Sequence, residues 1–211
     1  MAHRIGRALG RRVSAAAVTA VTTFTAAVVA ATSAAPAGAT GAPAFLEAGE
    51  LPPHAGSVWH AGPVTSGVPD PVPFCVGEAL PGATSRFRQF WTDVDTNAQQ
   101  VTVVERDEAA ARGLAALLDR AVRQCPAKVQ QQDPDVTAKW RDYGRVDAEE
   151  GARVHGVQTT HAQTGNDVHL FAVGRDGRTV TVVHWGEMGT FAHAPVTAFK
   201  ETTRTAVEKL Y

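Results

Sequence analysis

Cysteine is nearly absent: Cys75 and Cys125 are the only two in 211 residues. There is room for a single disulfide, and a thiol nucleophile is excluded if that disulfide forms. Serine is scarce beyond residue 39, at Ser57, Ser66 and Ser85 only, and none lies in a G-x-S-x-G elbow. Acyl transfer by a serine nucleophile therefore lacks its usual signature. No phosphate-cradling glycine loop and no H-E-x-x-H occur. Basic clusters are missing beyond the first few residues, which argues against a nucleic-acid partner or an anionic membrane surface. There is no internal repeat.

What is present begins with an export signature. Arg4, Arg7, Arg11 and Arg12 make a basic start, Val13 to Ala31 carries no charge, and Ala37-Gly38-Ala39 supplies small residues for cleavage. Residues 1–39 read as a signal peptide, with Thr40 opening the mature chain. The run is dominated by Ala and Thr, too weakly apolar to favour a retained anchor. Arg11-Arg12 leaves a twin-arginine address open beside ordinary export. Without its leader the chain keeps 16 basic and 21 acidic side chains, a net charge of −5. In an exported chain an exact cysteine pair reads as a Cys75–Cys125 disulfide.

Residues 40–82 form a Pro/Gly-rich arm that neither a regular helix nor an inner strand tolerates. Phe45, Leu51, Val58, Trp59, Val64, Val72 and Phe74 make it too apolar for a solvated linker, so an ordered arm across the domain is expected from about Phe45. Residues 83–211 carry the domain itself. Arg86–Thr92 and Gln99–Glu105 read as strands joined through Asp95-Thr96-Asn97. Asp93 and Asp95 beside that turn read as solvated or capping carboxylates. Asp107 caps a helix to about Gln124, with Leu114, Leu117, Leu118, Ala121, Val122 and Cys125 as its apolar stripe. Arg112, Asp119, Arg120 and Arg123 are assigned its wet side. Pro126 follows, where a helix usually ends or bends. Residues 127–150 are the least legible, with Trp140 and Tyr143 expected to cover core edges. Arg153–Thr160 is a further strand, and residues 195–211 form a closing amphipathic helix.

The chain is organised around Asp167–Met188, DVHLFAVGRDGRTVTVVHWGEM. An Asp-Gly turn between two β-rich runs is a strong hairpin signal. One face carries His169, Phe171, Val173, Val180, Val182 and His184; the other carries Val168, Leu170, Ala172, Thr179, Thr181, Val183 and Trp185. A tight Asp176-Gly177 loop sets His169 opposite His184, and a four-residue loop shifts the pairing by two without changing faces. The element order β-β-α-β-β-β-α predicts an α+β fold, an antiparallel sheet of about five strands with both helices packed on one face.

His169 and His184 are the residues most worth chemical attention. With Glu187 or His193 as a third ligand they suggest a weak metal site, but strand-end histidines are the commoner case, and no metal or other cofactor is expected. The face of His169, Phe171 and His184 combines an apolar floor with two imidazoles, which suits recognition of a small polar ligand. The leader, the helix running into a cysteine (LAALLDRAVRQC), the strand–turn–strand GNDVHLFAVGRDGRTVTVV and the closing helix resemble the extracellular sensor domain of the mycobacterial kinase PknH and its free-standing actinobacterial relatives. The likeness spans roughly Leu51 to Leu210 as an order of elements. It implies an antiparallel sheet with packed helices around a ligand-receiving cleft. The kinase sensor has two disulfides; this chain can make one, and it has neither kinase nor membrane span. The expectation is an exported ligand- or partner-binding module of the envelope or medium. Its partner is a small molecule or an envelope protein, not nucleic acid, with no stable membrane insertion. A small secreted hydrolase using histidine or carboxylate groups is the alternative.

Overall fold

The computed structural model describes residues 41–211; the expected signal peptide and its cleavage after Ala39 lie outside them. Strands β1 (His60–Ala61), β2 (Thr65–Ser66), β3 (Ser85–Trp91) and β4 (Asn97–Val104) precede helix α1 (Glu108–Gln132). Then come β5 (Val136–Val146), β6 (Ala152–His161), β7 (Gly165–Asp176), β8 (Thr179–Met188) and helix α2 (Val196–Glu208). All eight strands join one antiparallel sheet in the order β1-β3-β4-β8-β7-β6-β5, with β2 pairing on β3 beside β1. The α+β, antiparallel class is as expected, but the sheet is wider. The added long strand, β5, comes from residues 136–146, where exposed charges on an edge strand hide the period-2 pattern. The two short strands lie in the proline-rich arm.

The two helices do not share a face. Ala111, Leu114, Leu118 and Val122 of α1 pack with Val101, Val103, Val157, Phe171, Val173, Val180 and Val182. Phe199, Ala206 and Val207 of α2, with Leu210, pack with Val154, Val168, Leu170, Ala172, Val183 and Trp185. These strand residues alternate, so the helices cover opposite faces, which corrects the one-face expectation. The central hairpin is apolar on both sides, and one helix layer cannot dry both.

Helix α1 starts as expected, with the Asp107 carboxylate accepting from Ala110 N–H at 2.7 Å. It runs on through Pro126 to Gln132. The turns beyond the proline have tertiary partners: Gln130 Oε1 accepts from Ala138 N–H at 2.7 Å, and Lys128 pairs with Glu78. Cys75 and Cys125 are bridged, as expected, across 50 residues of chain.

The arm is ordered and serves both faces. Leu46 and Leu51 enter the α2 side; Val76 and Leu80, with half-buried Phe74, enter the α1 side. Leu46 N–H donates to the buried Gln100 Oε1 at 2.7 Å, and Thr202 Oγ1 donates to Glu50 O at 2.6 Å. A buried amide and a helix hydroxyl thus take up arm backbone groups that no ladder satisfies. Among the described residues no helix is long and apolar enough to cross a membrane.

Candidate functional site

The β7–β8 turn is Gly177-Arg178, closed by the pair Asp176 and Thr179. Gly177 has φ +51°, the left-handed region that glycine enters freely. The register therefore differs from the expected pairing. His169 lies opposite Gly186, and Phe171 opposite His184. Both faces keep their expected members, because the displacement is an even number of residues.

The two imidazoles still meet, diagonally. His169 Nδ1 lies 3.1 Å from His184 Nε2, with ring centroids 5.2 Å apart. Gly186 makes this possible, since a Cβ there would come within 2.7 Å of His169 Nδ1. His184 is buried and stacks on Phe171 at 4.7 Å with planes 18° apart. Gln99 Nε2 approaches its other nitrogen at 3.4 Å. With the Gln99 amide donating to Nδ1, the proton of the imidazole–imidazole bond belongs to His184 Nε2. Phe74 of the arm covers His169, ring centroids 4.6 Å apart.

Burial drives the His169 pKa down to about 4. It also carries His184 well below the ordinary value, with His169 adding a smaller push. Near neutral pH both rings are uncharged, and their facing nitrogens are spent on each other. A metal between them would have to break that bond. Nor is a third ligand at hand. Along β8 the side chains alternate, so Glu187 shares the α2-side face with Trp185 while His184 looks toward α1. Among the described residues no group of three His, Cys, Asp or Glu stands in metal-holding geometry.

Registers across the sheet turn these contacts into rows. Gln89, Gln99, His184, Phe171, His155 and Asp142 lie side by side on the α1 face. Inward of this row, Phe87, Val101, Val182 and Val173 lie under α1. Outward lie Trp91, Asn97, Gly186, His169 and Val157, and beyond them Met188, Asp167 and Thr159. Here the cover thins: Trp91 is 47% and Met188 61% exposed, Asn97 is exposed, and His169, Asp167 and Thr159 are half-buried. The polar row marks the edge of the helix-covered core. Of the three expected ligand residues, Phe171 and His184 are inside it and only His169 reaches the open half.

His155, one of the histidines of the domain's second half, has no role assigned by the sequence. It is fully buried, with Nε2 2.6 Å from Asp119 Oδ1 of α1 and Nδ1 3.7 Å from Asp142 Oδ1. Asp119 therefore leaves the helix's expected wet side to tie α1 to β6. Its position next to Leu118 and one turn before Val122 puts it on the margin of the apolar stripe, which was the available signal. Trp140 lies against the His155 ring at 5.5 Å, and Tyr143 meets Phe191 edge-on, both at core edges as expected.

A serine, a histidine and an aspartate also gather at the sheet's end. Asp93 accepts from Ser57 Oγ at 3.1 Å and lies 2.9 Å from His60 Nε2. The carboxylate stands between hydroxyl and imidazole, and those two contacts hold its pKa down. The imidazole rests on the carboxylate and not on the serine hydroxyl, which itself accepts from Asp93 N–H at 2.9 Å, so this is a loop clamp and not a serine–histidine nucleophile pair. Asp95 likewise accepts from Met188 N–H at 2.9 Å.

No family model, no curated protein and no solved structure matches the chain.

Proposed function

We propose that the chain is an exported binding module of sensor-like kind, recognising a small polar ligand or an envelope partner on the open half of the α1 face. The observation that carries this reading is His169. It is neutral, hydrogen-bonded to a buried partner and covered on one side by Phe74, at the margin between dry core and open sheet. An imidazole so held is a pre-oriented hydrogen-bonding group with an aromatic neighbour, the mixture that small-ligand sites use. The disulfide and the leader support export. The likeness in element order to the kinase sensor domain supports the sensor-like reading.

The test is mass spectrometry of small molecules that co-purify with the exported protein, followed by binding measurements on two variants. His169→Ala is expected to stay folded and bind the recovered molecule about tenfold or more weakly, the loss of one charge-free hydrogen bond and an aromatic contact. His184→Ala is expected to unfold at lower temperature, losing about 2–3 kcal/mol with a buried, stacked ring. Unchanged affinity in His169→Ala would move the site off this face.

A further inference from the structure

On the opposite face of the same sheet end, Pro52, Pro53, His54 and Ala55 of the arm, Trp185 and Glu187 of β8, and His193 and Pro195 before α2 enclose a cavity of about 190 Å³. We propose that this cavity binds a small carboxylate-bearing molecule, with His54, His193 and Glu187 as its polar contacts and Trp185 and the prolines as its apolar wall.

The histidines decide the ligand's chemistry. His54 Nδ1 accepts from Gly56 N–H at 3.2 Å, and His193 Nδ1 accepts from Thr190 N–H at 3.0 Å. A backbone N–H can only donate, so in each neutral ring the proton resides on Nε2. The rings therefore offer N–H donors rather than lone pairs. That disfavours a transition metal, which would need a free Nε2 lone pair and would cost both backbone bonds. It equally disfavours an ammonium ligand, which brings donors to donors. An acceptor-rich ligand fits. Glu187 completes the set: Thr96 Oγ1 donates to its Oε2 at 3.3 Å, leaving Oε1 for a ligand. Its pKa is raised, chiefly by burial and further by Asp95, against the lowering influence of Thr96, His54 and His193. A carboxyl so placed more readily takes up the proton that lets two carboxyl groups share one hydrogen bond. No Lys or Arg lines the cavity. Recognition thus rests on imidazole N–H donors and shape. A volume of this size admits a molecule of about ten non-hydrogen atoms, well below the usual drug-sized ligand.

This site shares no side chain with the His169 surface, so either assignment stands without the other. The experiment is an NMR titration of the protein lacking its leader with benzoate, benzamide and benzylamine. Benzoate is expected to shift the Trp185 indole and the His54 and His193 ring signals, and to bind more weakly as pH rises from about 5 to about 8. Glu187→Gln, neutral at every pH, is expected to retain benzoate binding at the upper pH. The double variant His54→Ala/His193→Ala, altered only in solvent-reaching side chains, is expected to melt normally and to lose about tenfold or more in affinity. No shift with benzoate at tens of millimolar would overturn the proposal. So would tighter binding of benzamide or benzylamine, or the same ring shifts produced by zinc ions alone.

Discussion

At the scale of single residues, the histidine pair makes stability depend on pH with a definite sign. In the folded chain His169 titrates near 4 and His184 well below its ordinary value, whereas in the unfolded chain both protonate near 6.5. The unfolded state therefore binds more protons once pH falls below about 6.5. Stability is full above that value and declines toward pH 4, where His169 begins to charge in the fold as well. Allowing for the ring's partial exposure, His169 accounts for on the order of 2 kcal/mol of this decline. Thermal melts between about pH 7 and pH 4.5 should show the fall, and His169→Gln should reduce its slope, leaving the share that belongs to buried His184. An unchanged slope in that variant would assign the pH dependence elsewhere. The membership of each hairpin face was legible in the residues because a strand alternates strictly. The partner of His169 was not, because register depends on which two residues form the turn, and Asp176-Gly177 and Gly177-Arg178 are equally good local choices.

At the scale of elements, the disulfide holds the arm to α1 just where Phe74 covers His169. It closes 50 residues of chain, for which loop entropy gives about 4 kcal/mol as an upper figure. The double variant Cys75→Ser/Cys125→Ser should melt lower, and limited proteolysis should cut it first between residues 67 and 82. Equal protease resistance with the bridge removed would show that Val76 and Leu80 anchor the arm unaided. The start of α1 could be read from Asp107, whose capping bond is local. Its end could not: Pro126 is locally a stop, and only contacts to Ala138 and Glu78 carry the helix past it. Strand β5 was hidden for a related reason, since its polar outward side chains reflect an edge position that exists only once the sheet is assembled.

At the scale of the whole molecule, one sheet separates two cores. Leu118 of α1 and Phe199 of α2 are fully buried in different clusters on opposite sides. Leu118→Ala and Phe199→Ala should each cost about 2–5 kcal/mol, and the double variant should lose close to the sum. A strongly non-additive result in chemical denaturation would contradict the separation. The sequence by itself determined the local facts: the capped helix, the two-faced hairpin, the closing amphipathic helix and a cysteine pair able to bridge. Each follows from side-chain periodicity or from residue chemistry within a few positions. The tertiary structure alone decided which helix covers which face, that Asp119 turns inward to His155, and that of His169, Phe171 and His184 only His169 reaches the open half. It likewise decided that His54 of the arm and His193 before α2 come to the face where alternation puts Glu187. These outcomes rest on contacts between segments far apart in the chain, where burial and register, rather than local preference, set the free energy.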